Sequence, residues 1–328
     1  MTTRRLDKMK IVILDGYTIV QDNMNWDSFR KFGEVTAYDR TPYEEDETVR
    51  RISDAQIVLT SKVPITAAVM DRCPNMKYVG VTATGYNIVD VKAARERGVT
   101  VTNVPGYGTE TVAEFAFALL LHMTRKVAKS EQTVRRGDWL RSIDFCYLPV
   151  TQESLFGKTM GVVGFGQIGR RVAELSKAFG MKVLVYTRHP DTKMESDNLK
   201  FVDFDQLLRE SDVVSLHCPL TKENQHMMDE ETFRKMKPTA YLINTSRGPL
   251  VKEADLKKAL EEGWIRGAAL DVLEKEPMEE NCPLIGVKNC VIVPHVAWAT
   301  NECRSMLLTM LEENIKAYLS GHPIHVVS

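Results

Sequence analysis

Three charged residues, Arg247, Glu276 and His295, stand 29 and 19 residues apart, each just after an apolar, strand-like run. Arg247 follows YLIN in NTSRGPL, Glu276 stands in LDVLEKEP, and His295 follows VIVP. Singly, each has an ordinary explanation: an arginine before Gly-Pro caps a helix, a glutamate before proline is solvated, and a histidine near a strand end is packed. Together they can do chemistry. A guanidinium grips a planar carboxylate or carbonyl with two parallel donors, an imidazole gives or takes a proton, and a carboxylate orients and charges that imidazole. Beside a dinucleotide site, these are the groups that hydride transfer to a 2-keto acid demands.

The stretch 159–188, TMGVVGFGQIGRRVAELSKAFGMKVLVYTR, supplies the dinucleotide site. It reads as strand, glycine turn, helix, strand. Gly164, Gly166 and Gly169 have G-x-G-x-x-G spacing at the point where a helix opens with Gln167 and Ile168. The first glycine permits the tight turn, the second lets backbone approach a pyrophosphate, and the third lets the helix pack closely on the strand. Three glycines alone would be weak evidence, but apolar strands flank this turn and the helix is amphipathic at Ile168, Val172, Leu175 and Phe179. At the end of the second strand, where an NAD site places Asp or Glu on the ribose 2′-hydroxyl, the chain has Thr187 and Arg188. A guanidinium and a hydroxyl suit a 2′-phosphate, so NADP(H) is expected over NAD(H). The alternative is that Arg188 is solvated and Asp191, beyond Pro190, reaches the ribose as in an NAD(H) site.

The elements that must position these residues are short β-rich runs alternating with helical patterns. Strands are expected at 11–14, 35–38, 56–59, 78–81 and 100–102, with helical composition at 44–52, 66–72 and 89–97. That alternation predicts a doubly wound α/β unit with a parallel sheet. A long, mostly apolar helix is expected over 109–127. The segment 137–157 carries Trp139, Phe145, Tyr147, Leu148 and Phe156 without a clear period and reads as an ordered arm over a cleft or a dimer contact. Further strands at 213–216, 241–244, 267–270 and 291–293 complete a second parallel sheet, and a last helix spans about 302–319.

Composition excludes several function classes. A length of 328 residues, 44% of them apolar, suits two domains. Lys plus Arg number 43 against 44 Asp plus Glu, so nothing in the net charge marks a nucleic-acid or anionic-membrane partner. The cysteines at 73, 146, 218, 282, 290 and 303 lack C-x-x-C spacing, which argues for reduced thiols in a cytoplasmic enzyme and against a zinc site; no metal is expected. The N-terminal MTTRRLDKMK leads into a strand rather than a signal peptide, and no window approaches the roughly 20 apolar residues of a membrane helix.

The motifs ILDGYT, VTATGYNIVD, TNVPGYGTETVAE, VGFGQIGRRVA, HCPLTKEN, INTSRGPLV, AALDVLEKEP and VPHVAWAT, in this order along essentially the whole chain, resemble the D-isomer-specific 2-hydroxyacid dehydrogenases, and most of all their glycerate dehydrogenase or hydroxypyruvate reductase branch. The resemblance implies a discontinuous, flavodoxin-like substrate domain of residues 1–104 and 297–328, with a Rossmann cofactor domain of residues 105–296 inserted, and closure of the two over substrate. It implies that Arg247 binds the keto acid and that Glu276 pairs with His295, the general acid in reduction and base in oxidation. Ala83, Thr84 and Gly85 match a loop whose N–H groups hold the substrate carboxylate. Asp271 matches a contact to the nicotinamide carboxamide, Cys218 and Pro219 a loop beside the nicotinamide, and Thr111, Thr245 and Ser246 positions near the cofactor. A homodimer, formed through the cofactor domains, is implied as well. The expected activity is reduction of hydroxypyruvate or glyoxylate by NAD(P)H; D-lactate and phosphoglycerate dehydrogenases, and a non-catalytic nucleotide-sensing corepressor, are the rival readings.

Overall fold

The computed structural model describes residues 9–328; the first eight residues of the N-terminal stretch lie outside it. The chain divides into two compact units, the first running through Gly108 and resuming from Ala299 to Ser328, the second spanning Thr109–Trp298.

The first unit holds a five-stranded sheet of β1 (Lys10–Ile13), β2 (Glu34–Ala37), β3 (Ile57–Thr60), β4 (Tyr78–Val81) and β5 (Thr100–Thr102), all parallel, in the order β2-β1-β3-β4-β5. Helices α1 (Glu45–Ile52), α2 (Ala67–Arg72) and α3 (Val91–Glu96) make the crossovers. β3 and β4 are buried along their whole length, as strands covered on both faces must be, which is why IVLT and YVGV read as continuous apolar runs. The C-terminal helix, Asn301–Leu319, packs on this sheet. A Cβ at Gly80 of β4 would lie 3.3 Å from Leu311 Cδ1, and Tyr78 meets Tyr318 ring to ring at 4.6 Å. The final residues complete the edge, where Val327 N–H donates to Val101 O at 2.9 Å.

The second unit opens with α4 (Thr109–Arg125), which ends within two residues of the helix expected over 109–127, and with α5 (Val127–Arg135), a further helix that was not expected; Lys126 between them takes a left-handed conformation with φ 49°. Its sheet comprises β6 (Thr159–Val163), β7 (Lys182–Tyr186), β8 (Leu199–Phe201), β9 (Val213–Leu216), β10 (Tyr241–Asn244), β11 (Gly267–Leu270) and β12 (Cys290–Ile292). All are parallel, in the order β12-β11-β10-β9-β6-β7-β8. Strand order reverses at β6, where a doubly wound sheet opens a crevice for ligand. Connections are made by α6 (Gln167–Ala178), α7 (Phe204–Glu210), α8 (Glu230–Lys235) and α9 (Glu253–Glu261). α6 turns Val172 and Ala173 into a core shared with Ala113, Phe117 and Leu120 of α4 and with Val162 and Val183 of the sheet. Each fully buried side chain of this size contributes roughly 1.5–3 kcal/mol.

Candidate active site

The glycine turn between β6 and α6 assigns a separate steric job to each glycine. Gly164 has φ 94°, a conformation that side chains oppose, and a Cβ there would sit 2.6 Å from Cys218 N. A Cβ on Gly169 would overlap the Gly164 carbonyl oxygen, so this residue lets α6 close on the turn. Gly166 differs from both: a Cβ there meets no protein atom within 4 Å. Gly166 is also the N-cap of α6 and offers no side-chain cap. By contrast Thr66, Asp90, Asp203, Asp229 and Thr300 each cap their helices with a side-chain oxygen. The N–H groups of Gln167, Ile168 and Gly169 thus keep their donor capacity, and the positive end of the helix faces whatever binds there. Ile168 turns its side chain to the core, leaving only its N–H for a ligand. Thr111 lies in the first turn of α4, next to Thr109, whose hydroxyl donates to Gln167 Oε1 at 3.2 Å. These features fit a dinucleotide pyrophosphate.

Thr187 and Arg188 follow β7 directly. Arg188 is exposed and its Nη2 donates to Thr221 Oγ1 at 3.1 Å, on the loop after β9. Thr221 N–H in turn donates to Asn224 Oδ1 at 2.7 Å, and Asn224 Nδ2 to Pro219 O at 2.8 Å. The Thr221 hydroxyl, with help from the Arg188 charge, holds the Glu223 carboxyl below the usual range. Asp191 accepts the Lys193 N–H at 3.3 Å and caps the short 3₁₀ turn Thr192–Met194.

The three charged residues come from successive strand ends. Arg247 lies three residues past β10, in a loop that buried Asn244 shapes by donating to Arg247 O at 2.9 Å and accepting Ser246 N–H at 3.0 Å. Ser246 Oγ donates to Cys218 O at 2.5 Å, tying this loop to the next strand's. A Cβ on Gly248 would overlap the Leu273 carbonyl, so Gly248 lets the Arg247 loop lie against the loop after β11. In that second loop Leu273 N–H donates to Glu276 Oε1 at 2.9 Å, and Glu276 Oε2 lies 2.7 Å from His295 Nδ1. Burial raises the Glu276 carboxyl, but the His295 hydrogen bond and charge, the Leu273 N–H and the Arg247 charge outweigh it and leave Glu276 below its ordinary value. His295 itself has φ 55°, an uncommon conformation for a side-chain-bearing residue. The backbone around it is fixed by Asp271, whose two carboxylate oxygens accept Val296 N–H at 2.7 Å and Ala297 N–H at 3.0 Å, while Asp271 O accepts His295 N–H at 2.8 Å. Burial pushes the Asp271 carboxyl up against those two donors. With Nδ1 committed to Glu276, Nε2 of His295 is the ring atom that can exchange a proton.

Two further groups lie just past the ends of β9 and β10. Cys218 lies 4.0 Å, sulfur to sulfur, from Met227, and burial raises its thiol, so it is neutral. The buried Thr245 hydroxyl, at the end of β10, has no partner among the described residues. Among the same residues no cluster could hold a metal ion, and no helix is long and apolar enough to cross a membrane.

In the first unit, Ala83, Thr84 and Gly85 follow β4. Val104 N–H donates to Ala83 O at 3.0 Å and Asn103 Nδ2 to Thr84 O at 2.7 Å. The N–H groups of Ala83, Thr84 and Gly85 find no acceptor among the described residues.

Residues 117–297 match the family model described as D-isomer specific 2-hydroxyacid dehydrogenase, NAD binding domain. The chain belongs to this family. A hydroxypyruvate reductase of Blautia hydrogenotrophica is 42% identical to this dehydrogenase over 321 residues, covering 98% of the chain and all of the relative. A glyoxylate reductase of Korarchaeum cryptofilum is 42% identical over 286 residues, 86% of this chain and 85% of its own. Among solved structures, an acyclic imino acid reductase in complex with NADPH and D-Arg superposes with a TM-score of 0.84 at 32% identity, covering 98% of this chain and 100% of its own.

Two polar residues beside the groups named above were given no role in the sequence reading: His217 next to Cys218, and Asn103 next to Thr84. His217, beside Cys218, is half-buried with its Nε2 2.8 Å from Ser215 Oγ, and loss of solvation pushes its pKa down to about 4. Asn103 was passed over inside TNVPGYG. A polar residue one step beyond a strand was the available signal, and burial, which gave it meaning, is invisible in one sequence.

Proposed function

We propose that this protein reduces hydroxypyruvate and glyoxylate to the corresponding 2-hydroxy acids with NADPH. The observation that carries the proposal is the 2.7 Å His295–Glu276 pair, built on the same sheet that bears the uncapped Gly164–Gly169 turn. The names of the relatives support the substrate class. In this reading the unit holding the glycine turn is the cofactor domain and the other the substrate domain. Gly164, Gly166, Gln167, Ile168 and Gly169 hold the pyrophosphate, and Thr111, Cys218, Pro219, Thr245, Ser246 and Asp271 line the remainder of the dinucleotide. Bound there, the dinucleotide supplies a hydride to the keto carbon.

His295 holds a proton at Nε2 and gives it to the carbonyl oxygen as charge develops there, while Glu276 orients the ring and balances its charge. Arg247, whose side chain donates among the described residues only to Ser246 O at 2.7 Å, keeps donors for the keto acid. Ala83, Thr84 and Gly85 bind the substrate carboxylate through their N–H groups. In the reverse direction neutral His295 accepts the hydroxyl proton.

NADPH is favoured over NADH because Thr187 and Arg188, and not an acid, follow β7 directly and Asp191 is engaged in its own cap. The NADPH in the related imino acid reductase agrees with this. The arm after α5 supports a homodimer: Leu140, Phe145 and Leu148 are about nine-tenths exposed, an apolar surface that a second copy would cover. Six free cysteines are consistent with a reducing, cytoplasmic setting, and the near-zero net charge with the absence of a nucleic-acid partner.

The test is a panel of hydroxypyruvate, glyoxylate, pyruvate and 3-phosphohydroxypyruvate, each assayed with NADPH and with NADH. The expected order places hydroxypyruvate and glyoxylate first, with NADPH preferred; Arg188→Ala should raise KM for NADPH about tenfold and leave KM for NADH unchanged. Preference for pyruvate, or an NADPH preference that survives in Arg188→Ala, would refute the respective assignment.

A further inference from the structure

We propose that Asn103 is a positioning residue that, together with the Val104 N–H, sets the substrate-binding donors of the 83–85 segment by gripping the opposite ends of the same peptide groups. The proposal rests on the reading of that segment as the carboxylate seat. A trans peptide is planar, with its C=O and N–H pointing in opposite directions. The Thr84 carbonyl shares its peptide with the Gly85 N–H, and the Ala83 carbonyl shares one with the Thr84 N–H. Asn103 Nδ2 donates to Thr84 O at 2.7 Å, and the next residue's backbone, Val104 N–H, donates to Ala83 O at 3.0 Å. Both carbonyls are therefore drawn toward the 103–104 segment, and the Thr84 and Gly85 N–H groups are turned away from it. Two successive N–H groups held in one direction form an anion-binding concavity. The Thr84 hydroxyl closes the same arrangement by donating to Val104 O at 2.9 Å.

Asn103 can hold a peptide only if it is held itself, and it is. It is 8% exposed. Its carbonyl accepts Asn314 Nδ2 at 2.8 Å from the fully buried face of the C-terminal helix, and its N–H donates to His325 O at 3.2 Å. Asn314 Oδ1 lies 2.8 Å from His325 Nδ1, and since an amide oxygen only accepts, His325 donates. The same logic fixes the Asn103 amide: Thr84 O is an acceptor, so the NH₂ end must face it. The last turn of the C-terminal helix and the tail beyond it thus support the carboxylate donors through a buried polar chain, which no apolar residue at position 103 could continue.

The experiment measures KM for hydroxypyruvate, the inhibition constant of oxamate, KM for NADPH, kcat and Tm in Asn103→Ala. An unpinned peptide should raise the hydroxypyruvate KM and the oxamate constant about tenfold, with kcat within about threefold and KM for NADPH within about twofold, since donors used equally in ground and transition states act on binding. Should Asn103→Ala fail to fold, Asn103→Ser, which keeps a polar group but lacks the reach, gives the same readout. Unchanged KM in a folded variant, or a parallel loss of NADPH affinity, overturns the proposal. Gly85→Pro deletes the N–H outright: a wild-type hydroxypyruvate KM there overturns the seat reading, whereas a raised KM there with a wild-type KM in Asn103→Ala overturns the role of Asn103 alone.

Discussion

Adding one methyl group at each of two glycines three residues apart should have opposite consequences, and the contrast tests the cofactor seat directly. At Gly166 the backbone has φ −73° and ψ −164°, values an alanine adopts without strain, and its Cβ meets nothing within 4 Å. The stability cost of Gly166→Ala is that of a poorer N-cap, roughly 0.5–1 kcal/mol, or about 2–4 °C in Tm for a unit of this size. A pyrophosphate bound at the α6 N-terminus would collide with that methyl. Overpacking costs about 1–3 kcal/mol, so KM for NADPH should rise about ten- to a hundredfold. At Gly169 the same methyl would overlap the Gly164 carbonyl oxygen and approach Val162 Cγ1 at 3.3 Å. There the roughly 1–3 kcal/mol falls on the fold, and Tm should drop by several degrees more than in Gly166→Ala. Fluorescence titration with NADPH and differential scanning calorimetry measure the two quantities. Wild-type NADPH affinity in Gly166→Ala would refute the placement of the phosphates, and an equal loss of Tm in both variants would refute the steric account.

Two further outcomes follow from charge and burial. Glu276→Gln removes the charge that orients and balances His295 and should lower kcat by about a hundredfold with NADPH affinity within about twofold; because the Glu276 carboxyl lies below its ordinary 4.5, it stays ionised through the range where exposed glutamates titrate, so an acid limb of kcat/KM assigned to it with a midpoint at or above 4.5 would contradict the geometry. His217, neutral in the fold with a pKa pushed to about 4, takes a proton more readily when unfolded, near 6.5; its contribution to stability is therefore complete above pH 6.5 and fades as pH falls toward 4, by at most about 3 kcal/mol, and His217→Gln should flatten that part of a pH–denaturation series.

Sheet architecture was legible because parallel strands covered on both faces advertise themselves as apolar runs: β3, β4, β9, β10 and β11 each lie within a residue or two of expectation. β8, only Leu-Lys-Phe at the sheet edge, carried too little pattern to be seen. The end of α4 falls within two residues of expectation, whereas α5, short and mostly polar, carried no apolar pattern to announce it. The arm follows an irregular path that one short 3₁₀ turn, Trp139–Arg141, interrupts, and Phe145, Leu148 and Phe156 of its apolar residues are exposed. At the candidate site, Arg247, Glu276 and His295 could be named because all three follow strand-like runs and together suit one reaction, although each alone has an ordinary structural use. Asp271 was noticed for a ligand contact, whereas its carboxylate clasps the two N–H groups that follow His295. Such a role depends on two loops meeting, which spacing along one chain does not encode.

The anion seats proposed in the two units follow one rule, and the rule explains why net charge carried so little information. In each unit the proposed donors are backbone N–H groups at the carboxyl end of a parallel strand: Gln167, Ile168 and Gly169 after β6, Thr84 and Gly85 after β4. Side chains serve to aim them. Gly169 lets α6 close onto the turn, and Asn103 holds the Thr84 carbonyl while the Val104 N–H holds that of Ala83. A backbone donor needs no counter-charge when the ligand leaves, so a chain with 43 basic and 44 acidic residues can bind two anionic ligands without a basic surface. The consequence is measurable: affinity for NADPH should weaken with salt only through Arg188 and its neighbours, so Arg188→Ala should abolish most of the salt dependence of NADPH binding while leaving that of NADH as it was. A steep salt dependence persisting in Arg188→Ala would mean that side-chain cations, and not oriented amides, hold the phosphates.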